Sequence, residues 1–527
     1  MTETILTRAD EHVRARVAST NPALTANFSL GALALVRLLL QFTGISHYGF
    51  FRDELYYMAC GQHLAWGYVD QPPLIAGAAW FSRHLFGDSI VSIRLLPAIA
   101  GAALVYLVGL LARELGGGHR AQLLAALAML FAPLSLALSA FLSMNAFEPV
   151  FWLSCAWVVV RIVKGASPKL WLAFGVIAGL GLENKHTMFV FGVALVTGLC
   201  LSGEARRFRS KWIWMGALVA LVLFLPNLIW EARHGWPQIV VVRNAQEFKN
   251  NAITPLRFLG EQILFLHPIA LPIWLGGLCW LFATEEGRRF RFLGWTYVLA
   301  LGIFMVFSGK SYYPFPAYPM LFAAGGVAFE RFVERFNQKW LRIGYPALLV
   351  LAGIITVPFG VPVLPIHAFL RYSHAIPLAR GVKTERDSTA ALPQLYGDMI
   401  GWENTIEAVA RVYHGLPDSE RAGCAILAGN YGEAGAIDYY GPKLGLPKAI
   451  SGHNSYYFWG PRGYSGDCVV LFGDGANDRK ELFGDAQLVA TVTNPLAMPA
   501  EQVVPIYVCH KPREPLAVMW PQFKVIL

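Results

Sequence analysis

Apolar segments that are long enough, or nearly long enough, to cross a lipid bilayer recur about eleven times along this chain, since one crossing helix needs roughly 20 mainly apolar residues. They predict a polytopic α-helical membrane protein with about 11 transmembrane helices. The fifth and sixth segments are short, which suits a broken pair buried inside the bundle rather than two lipid-facing spans. The segments cover residues 28–45, 91–112, 120–140, 146–163, 169–183, 186–202, 212–230, 262–283, 291–308, 314–331 and 343–365.

Basic residues concentrate in the polar loops at one end of these segments. Five successive loops carry lysine and arginine, as cytoplasmic loops do, if the polar and basic segment 1–27 is also cytoplasmic. The opposite, external face then receives residues 46–90 as its first loop, and an odd number of spans places the tail there too. No early apolar stretch resembles a removable signal, so the first span is expected to stay as an anchor. The basic positions are Arg113, Arg120, Lys164, Lys169, Arg206, Arg207, Arg209, Lys211, Arg288, Arg289, Arg291, Arg331, Arg335, Lys339 and Arg342.

From about His367 the composition becomes that of a soluble domain. We therefore divide the chain into residues 1–27, a membrane domain at 28–366 and an extracytoplasmic α/β domain at 367–527. A strand is expected at Cys424–Ala428, followed by a turn at Asn430–Gly435 into a helix that ends near Tyr440. Further strands are indicated by β-branched residues at Val469–Phe472, Leu488–Val492 and Ile506–Cys509.

Composition and charge narrow the class of protein. Hydrophobic residues make up 55% of the chain, which excludes an ordinary soluble globule. The net charge of +9 comes from the basic loops, so we expect a lipid bilayer and not a nucleic acid as the partner. The tail holds Cys424, Cys468 and Cys509, so at most one disulfide forms among them.

The stretch Phe51–Leu74 of the first external loop is unusually rich in chemistry. It holds an acidic pair, Asp53-Glu54, followed by tyrosines and by Asp70, and it ends at Pro72-Pro73, which stops any helix. An acidic pair beside aromatic residues at a membrane surface suits an active site for a sugar. A solvated loop between two membrane helices is the plain alternative.

Several motifs together resemble a glycosyltransferase family, that of the protein O-mannosyltransferases and the lipid A aminoarabinose transferases, in its bacterial branch. The first-loop matches are Asp53-Glu54, Tyr56-Tyr57, Gly67-Tyr68 and Pro72-Pro73, although Gln71 stands where the family often has histidine. The other matches are LSMNAFE at Leu142–Glu148, GLGLENK at Gly179–Lys185, KSYYPFPAYP at Lys310–Pro319, NYGEA at Asn430–Ala434 and SGHNSYYFWGP at Ser451–Pro461. The resemblance implies a GT-C membrane enzyme of the family 39-like type, which moves a hexose or pentose, with inversion, from a polyprenyl-phosphate donor.

Such a transfer needs a base for the acceptor hydroxyl, and the acidic pair supplies two candidates. We expect Asp53 to be the catalytic base, with Glu54 as its alternate or as a structural hydrogen-bonding group. Adjacent residues on a helix point about 100° apart, so only one of the two needs to face the site. Tyr57 and Asp70 of the same loop are expected to contact the substrate.

The departing phosphate needs cations on the external face. Arg52, Lys185, Arg243 and Lys310 are available there, and Lys310 is the best placed because Tyr312 and Tyr313 follow it. The alternative explanation is that the side chain of Lys310 extends to the membrane interface beside the aromatic residues and binds no phosphate. Lys185 and His186 lie between two short apolar segments, where a salt bridge from Glu183 to Lys185 is the competing explanation.

Asn145 and Glu148 of the second external loop fall three residues apart and so share one helical face. We expect them to bind substrate, although an ordinary N-cap role is open for Asn145.

No metal and no cofactor is predicted, since the histidines are scattered and the resembled branch does not require an ion. The alternative to a glycosyltransferase is a transporter or lipid flippase, but transporters place polar groups near the midplane and show repeats. The acceptor is left open.

Overall fold

The computed structural model describes residues 22–250, 253–376 and 390–527. The first part of the chain is helical throughout, and its helices pack side by side around a large apolar core. Helix ends are fixed by local side chains, as where Ser89 accepts from the backbone N–H of Ser92. The helices are α1 (Pro22–Phe42), α2 (Arg52–Gln62), α3 (Leu74–Phe86), α4 (Ile90–Glu114), α5 (His119–Leu130), α6 (Pro133–Leu138), α7 (Met144–Val163), α8 (Leu170–Asn184), α9 (Met188–Leu201), α10 (Lys211–Arg233), α11 (Pro237–Asn244), α12 (Pro255–Phe265), α13 (Leu271–Ala283), α14 (Glu285–Arg288), α15 (Arg291–Val306), α16 (Tyr318–Arg335), α17 (Leu341–Thr356) and α18 (Ile366–Ala375).

Within the described part of the chain, five helices are long and apolar enough to cross a membrane. A sixth candidate is a pair, Pro255–Phe265 and Pro268–Ala283, that bends by 95° at its break. The apolar segment expected at 262–283 is therefore mainly the second part of a bent pair that begins at Pro255, because the chain turns sharply at His267 and Pro268. The five are Leu24–His47, Ile90–Glu114, Met144–Val163, Lys211–Arg233 and Leu341–Phe359, and shorter apolar helices are Leu170–Asn184, Met188–Leu201 and Arg291–Val306.

The short helices α8 and α9 are not a pair hidden inside the bundle. They expose apolar side chains such as Val176, Phe189 and Val193 over part of their length, as lipid-facing helices do. The expectation that they are buried was wrong, since only one face of each packs on its neighbours. Between them lies a polar break at 185–187, and just before it the side-chain amide of Asn184 donates a hydrogen bond to the backbone carbonyl of Met144 on α7.

The tail is a small α/β unit with a four-stranded sheet in the order β1-β2-β4-β3. Strands β1 and β2 are parallel, and the other pairs are antiparallel. All the strands expected from the sequence are present, although β3 and β4 extend beyond the predicted segments. The elements are α19 (Gln394–Gly397), α20 (Trp402–His414), α21 (Asp418–Arg421), β1 (Ala425–Ala428), α22 (Tyr431–Tyr440), α23 (Ser455–Trp459), β2 (Cys468–Phe472), α24 (Ala476–Arg479), β3 (Phe483–Thr493), α25 (Pro499–Gln502), β4 (Val503–Pro512) and α26 (Leu516–Met519).

A disulfide between Cys424 and Cys468 joins the starts of the two parallel strands, and Cys509 is a buried free thiol. The tail also shares a hydrophobic core with the first external loop, so α2 and α3 pack on α20, α22 and the sheet. The hydroxyl of Tyr56 on α2 bonds that of Ser455 on α23 within this core. The tail therefore covers the loop that carries the acidic pair.

Candidate active site

A cavity of about 380 Å³ lies where the start of α2 meets the tail, and we call it the candidate cavity. One part of its wall is polar and carries the carboxylate of Asp53 together with the cations Arg52, Lys249 and Lys310. The rest is largely apolar and comes from α6, α12 and neighbouring loops. The apolar lining is formed by Phe51, Pro133, Leu134, Ala137, Leu138, Phe141, Leu264, Phe265, Pro268, Phe359, Ile376, Pro393 and Leu395.

Asp53 lies in the first turn of α2, where a carboxylate also suits the positive end of the helix dipole. The hydroxyl of Tyr431 on α22 donates a hydrogen bond of 2.9 Å to Asp53 Oδ1. The preceding residue, Arg52, lies 3.7 Å from the carboxylate of Asp398, and its backbone N–H donates to the carbonyl of that residue. These contacts fix the start of α2, so that Asp53 is held at the cavity wall.

Glu54 has a different environment, although it is the next residue. Its side chain is fully buried, and Arg94 of α4 donates to both of its oxygens at 2.8 and 3.1 Å. The backbone N–H groups of Phe51 and Leu142 also donate to it, at 2.8 and 2.9 Å. The carboxylate of Glu54 thus joins the start of α2 to Arg94 and Leu142. Its oxygens already accept hydrogen bonds from protein groups, which leaves few lone pairs for a substrate.

Asp70 and the tyrosines of the loop form a second layer beside Asp53. The hydroxyl of Tyr56 donates to Asp70 Oδ1 at 2.8 Å. Burial raises the pKa of Asp70 to about 7, and the negative charge of Asp53 acts in the same direction. Burial likewise raises the pKa of Tyr57, so this phenol stays neutral beside the two carboxylates.

Polar residues of the second and third external segments meet at Lys185. Its ammonium group donates to Asn145 Oδ1 at 2.7 Å and to Glu148 Oε2 at 3.0 Å, and it lies 4.5 Å from the ring centre of Tyr313. The explanation by a Glu183–Lys185 salt bridge was wrong, because Lys185 turns toward α7. Asn145 is not the N-cap either, since Ser143 accepts from its backbone N–H and caps α7.

The remaining predicted residues divide between the cavity and other places. Lys310 and Tyr312 line the candidate cavity, as Asn145 does. His186 instead bonds the side chain of Asn227 on α10. Arg243 is exposed on α11 and is absent from the cavity lining that the structure describes. The structure thus brings Arg52, Asp53, Asn145, Lys310 and Tyr312 to the lining of one cavity, and Lys185 contacts this set through Asn145.

Sequence reasoning missed Tyr431 and Lys249, which line the cavity, and Arg94, which pairs with Glu54. The motif NYGEA contains Tyr431, so a signal was present, but nothing in the sequence connected it with Asp53. Lys249 lies in an exposed, polar stretch without a distinctive pattern. Arg94 was hidden at the start of an apolar segment, where an arginine resembles an interfacial cation.

A protein-family model described as dolichyl-phosphate-mannose-protein mannosyltransferase matches residues 70–230. This segment includes Asn145, Glu148 and Lys185 but neither Asp53 nor Lys310. A curated relative is the undecaprenyl phosphate-alpha-4-amino-4-deoxy-L-arabinose arabinosyl transferase of Edwardsiella ictaluri, 26% identical over 309 residues. The match covers 53% of this chain and 54% of the relative, so the chain spans about half the length of the curated enzyme it matches.

The solved structure of ArnT from Cupriavidus metallidurans bound to undecaprenyl phosphate aligns with 90% of this chain and 97% of its own. The TM-score is 0.61 at 14% sequence identity, and the apo form of that protein matches equally well. The chain has the GT-C fold. This confirms the predicted fold class, a multi-pass helical membrane protein with a C-terminal α/β domain, and the resemblance to GT-C glycosyltransferases of the ArnT and protein mannosyltransferase type.

Proposed function

We propose that this GT-C protein transfers a glycosyl group from a polyprenyl-phosphate carrier to a hydroxyl acceptor. The observation that carries the proposal is the two-sided candidate cavity. A lipid-linked sugar phosphate needs apolar wall for its tail, cations for its phosphate and a base beside its anomeric carbon, and these features adjoin in one cavity of about 380 Å³. Relatives named for transfer from undecaprenyl phosphate and dolichyl phosphate support the same class of donor.

In the proposed reaction Asp53 removes the proton of the acceptor hydroxyl. The acceptor oxygen forms a bond to C1 of the sugar while the bond from C1 to the phosphate oxygen breaks, and polyprenyl phosphate leaves with the electron pair. Arg52, Lys249 and Lys310 stabilise the charge that develops on the phosphate. A single displacement of this kind inverts the configuration at C1. Glu54, bonded by Arg94, holds α2 in place.

Asn145 and Tyr312 contact the sugar or phosphate in this proposal, because both line the cavity. Lys185 is already paired with Glu148, so its role is to orient Asn145 and not to bind phosphate directly. Asp70 and Tyr57 tune the charge around Asp53. Arg243 and His186 have no part in the proposed step.

We further propose that the active site and the tail lie outside the cytoplasm, with the N-terminus inside and the protein in a bacterial inner or plasma membrane. The basic loops support this orientation, and so does the disulfide of the tail, since disulfides persist in oxidising compartments. Labelling of Ser419→Cys, an exposed position of the tail, with an impermeant maleimide in intact cells tests it. Label at Ser419→Cys but not at Ser202→Cys is expected; the reverse pattern would overturn the orientation.

The test of the function is release of undecaprenyl phosphate from lipid-linked sugars by purified protein with a mixture of acceptors. Carriers of mannose and of 4-amino-4-deoxy-L-arabinose are suitable first donors because these sugars appear in the names of the relatives. Donor cleavage that depends on an acceptor is expected. Translocation of intact donor across proteoliposomes without cleavage would support a flippase instead.

A further inference from the structure

The tail contributes a side chain to the wall that carries Asp53. Tyr431 lines the candidate cavity, and its hydroxyl lies 2.9 Å from Asp53 Oδ1. Because a carboxylate has two oxygens, a donor fixed on Oδ1 defines where Oδ2 points. The free rotation that would move Asp53 away from a substrate is thereby restricted.

The position of Tyr431 follows from how α22 begins. Asn430 caps the helix by accepting from the backbone N–H groups of Gly432 and Glu433. Two glycines then let α22 lie directly on α2. A Cβ at Gly432 would come within 2.3 Å of Arg52 Cγ, and one at Gly435 within 2.7 Å of the backbone carbon of Leu55. Larger residues at these positions would push Tyr431 away from Asp53.

The ring of Tyr431 is held on several sides. It packs against Tyr56 and His453 at centroid distances of 4.8 and 4.9 Å, and the guanidinium of Arg52 lies 5.7 Å from its ring centre. These contacts do not involve the hydroxyl. The packing of the ring therefore directs the hydroxyl at the carboxylate, and removal of the hydroxyl alone would leave this packing intact.

We propose that Tyr431 is a positioning residue for Asp53, so that the tail completes the active site of the transferase. The inference rests on the proposed function, in which Asp53 is the base. The hydroxyl fixes the direction of the carboxylate, because one of its two oxygens is already hydrogen-bonded. Asp53 shares the cavity lining with Arg52, Lys249 and Lys310, and Tyr57 and Asp70 lie close enough to interact with its charge.

The test is Tyr431→Phe in the full-length protein, assayed by release of undecaprenyl phosphate. We expect kcat to fall by about 10- to 100-fold, in line with loss of a hydrogen bond to a charged group, while KM for the donor changes less than threefold or so. The split between kcat and KM is the decisive readout, because a general loss of structure would weaken donor binding as well. The unfolding temperature of the variant, measured alongside, should stay close to that of the wild type.

The matched control is Tyr456→Phe. Tyr456 is also buried in the tail, and its hydroxyl bonds a carboxylate, Asp438, at 2.9 Å, but it does not line the cavity in the described structure. This variant loses the same atom and should keep the wild-type kcat. An unchanged kcat in Tyr431→Phe, or a lower kcat accompanied by weaker donor binding and a lower unfolding temperature, as in a general loss of stability, would overturn the role of Tyr431. Failure of the proposed function is separate: the wild type would then release no undecaprenyl phosphate.

Discussion

Two neighbouring carboxylates face different surroundings. The Glu54 network consists of Glu54, Arg94 and the backbone of Phe51 and Leu142, and Glu54 is fully buried and does not line the candidate cavity in the described structure. The Asp53 wall consists of Asp53 and the cations that border a cavity, with Tyr431 as donor. The difference teaches that an acidic pair in a sequence is not one functional unit. One helical step, about 100°, separates a group that holds the protein together from one that is placed to act on a substrate.

The largest expected difference between the two carboxylates is in their effect on turnover. Asp53→Asn keeps the shape of the side chain and a hydrogen bond but cannot accept the acceptor proton. We expect kcat to fall by roughly 10²–10⁴-fold with little change in donor affinity. Single-turnover release of undecaprenyl phosphate measures it. Near-normal turnover of this variant would remove Asp53 as the base.

A change in the Glu54 network should instead lower the stability of the folded protein. Arg94→Met leaves the Glu54 carboxylate buried without its partner, which typically costs about 3–5 kcal/mol. Thermal unfolding in detergent measures the loss. Arg83→Met is the control, because its partner Asp88 is half exposed and such pairs contribute at most about 1 kcal/mol. Equal effects of the two changes would contradict the distinction between the regions.

Lys310 tests whether the cations of the Asp53 wall hold phosphate. Lys310→Ala should weaken binding of a polyprenyl-phosphate donor by about 1.5–3 kcal/mol, the range for a hydrogen bond to a charged group. The loss should be larger at low salt than at high salt, since screening weakens the interaction. Lys448→Ala, outside the cavity, serves as control. If the variant binds the donor as tightly as the wild type, Lys310 does not hold the phosphate and instead lies along the membrane interface.

Asp70 sharpens the comparison with a third carboxylate, whose expected effect is on the pH dependence of stability. Its pKa is about 7 in the folded protein and near 4 in an unfolded chain. The folded state therefore binds more protons between these values, and this residue makes stability fall as pH rises from about 4 to about 7. Asp70→Asn should remove that part of the slope in unfolding temperature against pH. Parallel curves for wild type and variant would show that Asp70 does not titrate this way.

The sequence predicted the elements that local patterns determine. Period and apolarity located the long spans, and β-branched runs located three of the four described strands, since both signals are carried by neighbouring residues. The sharp bend at His267 and Pro268 was missed because the apolar pattern continues through it. The lipid-facing sides of α8 and α9 were missed because a short apolar helix has the same composition whether it is buried or exposed.

Partners of the site residues were harder to predict than the residues themselves. The competing explanation for Lys185 paired it with the nearby Glu183, yet Lys185 bonds Glu148, which lies on another helix. Glu54 meets Arg94 and Asp53 meets Tyr431 only after the bundle and the tail have packed. Such pairs are set by tertiary geometry, and a single sequence contains no periodic signal for them.

The contact of Tyr431 with Asp53 joins residues 378 positions apart. A ribosome delivers α2 to the membrane long before it delivers α22, and in the proposed orientation the tail must cross the bilayer and form its sheet before the two meet. During synthesis the inserted helices would thus lack part of the cavity lining, including Pro393, Leu395 and Tyr431. A chain released after residue 376 should therefore release far less undecaprenyl phosphate than the full chain, which assays of that truncated protein would check. Under the proposed function, biosynthesis itself then delays the chemistry until the tail has folded.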